Sequence, residues 1–156
     1  MLTGAQRLQN IHPLVVHFPI GLLMSAALFY FAAWAFKKED WANTGFRVLL
    51  PGALSLAVSV ATGFYAEQGV MVHLSVREKL LLPHEQYMIA TLVICLITVV
   101  WAVVARPFPQ KGRIFFLILL LVMMGTMTLG ADFGGRMVYD YNAGGAACPQ
   151  PIKFTI

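Results

Sequence analysis

Four histidines carry most of the chemistry this chain can offer: His12, His17, His73 and His84. Two of them head a long apolar run, Ile11-His12-Pro13-Leu14-Val15-Val16-His17-Phe18-Pro19-Ile20-Gly21-Leu22-Leu23. A second apolar run opens in a similar way, at Pro83-His84-Glu85-Gln86. Ionisable side chains in such runs are costly to bury and usually serve a function. A neutral imidazole binds iron, copper or zinc through one ring nitrogen. Two imidazoles on facing helices hold haem iron from both sides, or a smaller metal ion. The expectation is haem b with His17 and His84 as axial ligands and His12 and His73 as supporting groups or substitutes. Copper or zinc at the same histidines is the alternative.

The other candidates are weaker. Glu85 and Gln86 stand at a helix start, where the dipole favours an acid, and Glu85 could also take a proton from a quinol. Met123, Met124, Met127 and Met137 would suit copper(I) beside histidine, yet methionine is an ordinary packing residue in apolar helices. Cys95 and Cys148 form neither a disulfide framework nor a CxxC knuckle. There is no Ser-His-Asp order, Walker loop or HExxH motif, and Gly134-Gly135 lacks a strand-turn-helix setting.

The elements that must position these residues are apolar throughout. Of 156 residues, 59% are hydrophobic and 12% charged, against roughly a quarter charged in an ordinary soluble domain. Runs over about 14–36, 46–66, 85–105 and 113–131 are each long enough to cross about 30 Å of hydrocarbon. The predicted fold is an all-α integral membrane four-helix bundle in one domain, followed by a short C-terminal tail, 132–156. The first run is too long for a cleavable signal and lacks a small-residue cleavage site, so it reads as a retained helix. Pro51 is tolerable inside a membrane helix whose neighbours satisfy the freed carbonyl. The net charge of +4 is spread without a basic stripe, which argues against nucleic-acid binding and leaves the lipid bilayer as the first partner.

Lys37, Lys38, Arg47, Arg106, Lys111 and Arg113 concentrate at the two tight loops and their flanks. The positive-inside rule turns that end to the cytoplasm of a bacterial inner membrane and puts both termini in the periplasm. The cations at the other end, Arg7, Arg77, Lys79, Arg136 and Lys153, are offset by a similar number of acids.

A parallel repeat of two helical hairpins is a further expectation. Seventeen residues separate His17 from Trp34, and seventeen separate His84 from Trp101. Each second helix opens on an arginine, Arg47 or Arg113, and closes near a glycine, Gly63 or Gly130. Tryptophans at interfaces and arginines after cytoplasmic turns are generic, so coincidence is the competing explanation. Gly52, Ser55, Ser59, Thr62 and Gly63 recur at helical spacing, as do Gly125 and Gly130. Such stripes let helices pack closely or leave room for a flat cofactor.

The segment His12-Pro13-Leu14-Val15-Val16-His17-Phe18-Pro19-Ile20-Gly21-Leu22, with His84 and Gly134-Gly135-Arg136-Met137-Val138-Tyr139, resembles a bacterial family of small membrane proteins of unknown function. The resemblance covers nearly the whole chain. It implies four helices and a functional outer face, and brings no established activity. The functional expectation is a haem b-binding electron-transfer subunit at the periplasmic face. It would work between quinone and a periplasmic cytochrome, inside a larger membrane complex. The alternatives are a structural or assembly subunit without its own cofactor, and a periplasm-facing copper or zinc binding protein.

Overall fold

Four long helices form the molecule, and the residues that end them explain where they turn. The structure, a computed structural model, describes residues 11–68, 74–141 and 143. A single turn, α1 (His12–Val15), leads into α2 (His17–Phe36). Lys37 then takes a left-handed conformation (φ 53°), and α3 (Glu39–Glu67) runs back. A short α4 (Leu74–Val76) and a π-turn (Arg77–Leu81) precede α5 (Leu82–Val104), and α6 (Arg113–Tyr141) closes the described chain. All four long elements are apolar enough to cross a membrane. The fold is therefore the all-α, four-helix architecture that the hydropathy demands.

The strongest packing lies within two hairpins, α2 on α3 and α5 on α6, while α3 against α5 and α2 against α6 close the ring. Small residues let the backbones approach: Ala26 and Ala27 on α2, Gly45 and Gly52 on α3, Ala102 on α5. Large side chains such as Leu23, Leu49, Leu120 and Met123 fill what remains. Thr91 and Thr126 meet at 2.9 Å between α5 and α6, so two hydroxyls in an apolar interior satisfy one another.

At the loop end the chain is pinned by aromatics. Phe108 folds inward against Tyr30 and Phe116, with ring centroids 5.5 and 5.9 Å away. Arg106 lies over Phe46 and Arg113 over Phe108, each 4.7 Å from the ring centre, so both cations stay beside the bundle.

The opposite end departs from the sequence reading. Residues 132–141, assigned there to a tail, continue α6 as helix. Two glycines in succession cost helix propensity, about 1 kcal/mol each. Phe133, Met137 and Tyr141, four residues apart on one face, recover it by packing on Val76, Leu80 and Leu81. This small satellite core roofs the bundle. At 29 residues α6 is about 43 Å long, well over the hydrocarbon thickness of about 30 Å. His12, placed at the edge of a polar lead by the sequence, belongs to α1. His73, Cys148 and the chain beyond 143 lie outside the described residues.

Candidate functional site

The end of the bundle away from the cationic loops holds a cavity of about 340 Å³. Three histidines line it, His12, His17 and His84, with Ser59, Glu67, Glu85 and Tyr139 the main polar company. About 20 residues span the hydrocarbon, and that count from Phe36, Val104 and Arg113 reaches His17, Glu85 and Asp132. The cavity thus lies near the ends of the apolar spans away from the loops.

The structure brings His12 and His84 together. Their ring centroids are 6.4 Å apart and the ring planes stand at 81°. His17 lines the cavity wall but is exposed, and its ring is not the one that meets His84. The reason is angular. Five residues along a helix rotate a side chain by about 140°, so His12 and His17 cannot share a face, and the turn at Val16 does not remove that offset. His73 is not described, so its place relative to this pair is not assigned.

Each ring is held by its own hairpin. His12 Nδ1 lies 3.2 Å from Thr62 Oγ1. The Thr62 hydroxyl donates to Ser59 O at 3.0 Å, so its oxygen is left to accept from His12 Nδ1–H. His84 Nδ1 lies 2.7 Å from the carbonyl of Gly130, which can only accept, so this Nδ1 also carries the proton. For His84 the tautomer follows from this partner, and the lone pair falls on Nε2. A ring nitrogen tied to a protein oxygen is one half of the arrangement that orients a metal-ligating histidine.

Glycines make the seats. A Cβ placed on Gly63 would lie 3.1 Å from His12 Cε1, and one on Gly134 would lie 3.0 Å from His84 Cε1. The two imidazoles are therefore pressed edge-on against the α3 and α6 backbones. Of these partners, Ser59, Thr62 and Gly63 are visible in the sequence as a small-residue stripe. Gly134 is not, because a Gly-Gly pair past the last apolar run reads as loop.

The mouth of the cavity is charged. Glu67 at the end of α3 pairs with Arg77 of the π-turn, and the Glu67 and Glu85 carboxyls lie near enough to interact. Among the described residues no group of three or more His, Cys, Asp or Glu side chains is placed to hold one metal ion. The donor set is a pair.

No curated protein and no solved structure matches this chain. A family pattern does, over residues 8–147, which takes in all four helices and both histidine seats. Its description is a predicted membrane protein, DUF2231, and this chain belongs to that family.

Proposed function

We propose that this protein binds haem b between His12 and His84 and carries electrons at the face of the membrane away from its cationic loops. The observation that supports this most is the facing pair of imidazoles, each fixed through Nδ1 and each seated on a glycine. Two imidazoles whose centroids lie about 6 Å apart are near enough to bind one ion between them. The observed separation is 6.4 Å. Structural zinc takes four protein ligands and catalytic zinc three, whereas haem iron needs only two axial ones. The paired donor set among the described residues favours haem over copper or zinc on that count. When bound, haem b supplies a one-electron iron couple whose potential responds to the axial histidines and their partners. The chain's part is to fix both rings and shield the site with apolar walls.

Orientation follows from charge. Lys37, Lys38, Arg47, Arg106, Lys111 and Arg113 face the far end, which the positive-inside rule assigns to the cytoplasm. In a bacterial inner membrane the site then looks onto the periplasm, where a soluble cytochrome or a larger redox complex is a natural partner.

The decisive experiment is a haemin titration of the detergent-purified chain. One haem per chain with the absorption of six-coordinate, bis-imidazole iron is expected. Substoichiometric uptake, or five-coordinate iron, overturns the assignment. Thr62→Val keeps the side-chain shape and removes one acceptor of the His12 proton. It is expected to weaken haem binding about tenfold, in the range set by losing an outer-shell partner, with far-UV circular dichroism unchanged.

One observation favours a second reading. The perpendicular rings also make an edge-to-face aromatic contact, which alone would tie the hairpins together. In that case replacing either histidine lowers the unfolding temperature of the cofactor-free protein, and haemin leaves that temperature unchanged.

A further inference from the structure

On its α3 and α5 side the same cavity forms a slot lined by side chains other than the histidines. Phe64 and Glu67 lie three residues apart on α3, and Glu85 and Ile89 four apart on α5, so each pair shares a helix face, and all four line the cavity. Phe64 and Ile89 are 45% and 44% exposed, which places them at the lipid-facing rim. The Glu67 and Glu85 carboxyls line the same stretch of wall, with Arg77 holding Glu67. Independently, Ser59 on the same wall is 5% exposed and its Oγ has no hydrogen-bond partner. A buried hydroxyl left unpaired is costly, and a native structure that keeps one commonly completes it with a bound molecule or water.

The occupant must enter from lipid, offer hydrogen-bond donors to carboxyl oxygens, and present an apolar body to Phe64 and Ile89. Phospholipid headgroups fail, because their phosphate would face two carboxyls. A neutral hydroxylated ring on an apolar tail meets all three requirements. We propose that this slot binds the headgroup of a lipid-soluble quinol. One ring hydroxyl donates to the Glu67–Glu85 pair, the ring lies between Phe64 and Ile89, and the second oxygen is directed inward to the wall that carries Ser59. The choice of a redox-active ring rests on the electron-carrier reading; the slot itself does not.

The test titrates the purified chain, in nanodiscs, with a short-chain 1,4-benzoquinol and with its bis-methyl ether. The ether keeps the shape and loses both donors. The quinol is expected to bind at least about tenfold more tightly than the ether, the usual worth of a hydrogen bond to a charged or buried group. Glu67→Leu and Glu85→Leu should each erase that preference, and Ser59→Ala should reduce it severalfold. Equal binding of quinol and ether by the unaltered chain overturns the proposal, as does a full preference retained in the Ser59→Ala chain. Ser59→Ala also carries the test should either leucine variant fail to fold. Haem absorption recorded on the same samples separates the two readings. Quinol preference without haem uptake overturns the haem assignment alone, and haem uptake without quinol preference overturns the slot alone.

Discussion

Replacing His12 with alanine is expected to abolish six-coordinate haem binding, whereas replacing His17 leaves it in place. Removing an outer-shell partner of a metal ligand costs 10- to 100-fold in affinity, so removing the ligand itself should cost at least about a hundredfold. His84→Ala should match His12→Ala, since the two rings enter the pair on equal terms at 6.4 Å. His17 is exposed on the cavity wall, about 140° around the helix from His12, and its loss should change affinity by less than about threefold. The contrast matters because the sequence alone favours His17. A haemin titration of the three variants, followed by absorption, decides it. Loss of binding in His17→Ala with retention in His12→Ala reverses the ligand assignment.

Leucine at Gly134 should be nearly as damaging to the site while sparing the helix. Its Cβ would start 3.0 Å from His84 Cε1 and 3.2 Å from Nδ1. The ring cannot slide away without giving up its 2.7 Å hydrogen bond to Gly130. Replacing a mid-helix glycine by leucine is otherwise favourable, by up to about 1 kcal/mol in propensity. The expected result is a loss of haem affinity approaching that of His84→Ala, with the thermal midpoint of the cofactor-free protein held or raised. Gly63→Leu should act in the same way on His12, against which its Cβ would lie 3.1 Å from Cε1. Gly125→Leu is the control, because nothing lies within 4 Å of a Cβ there. Equal effects at Gly125 and Gly134 would mean that bulk on α6, and not the imidazole seat, is responsible.

The membrane helices were legible because hydropathy over about 20 residues is a one-dimensional property that lipid enforces. The continuation of α6 to Tyr141 was not. Its glycines argue for a loop, and only the packing of Phe133, Met137 and Tyr141 on Val76 and Leu80 outweighs them. The site was half legible. All four histidines stood out as costly residues in apolar surroundings, and His84 was singled out for its place at a helix start. Which partner faces it depends on rotation about the α1–α2 axis, and a motif with histidines five apart does not encode that. Thr62 and Gly63 could be suspected from their stripe. The Gly130 carbonyl could not, since a backbone acceptor leaves no mark in a side-chain pattern.

Each half of the chain brings one imidazole together with that imidazole's own seat: His12 rests on Gly63 within the first hairpin, His84 on Gly134 within the second. Neither hairpin alone can clasp an ion from both sides. Occupancy is therefore linked thermodynamically to the docking of one half on the other. A ligand present at a hundred times its dissociation constant would add about 2.7 kcal/mol to the cohesion of the halves. On the haem reading, a cell starved of that ligand would keep the two halves joined by their shared core alone, and so more open to quality-control proteolysis.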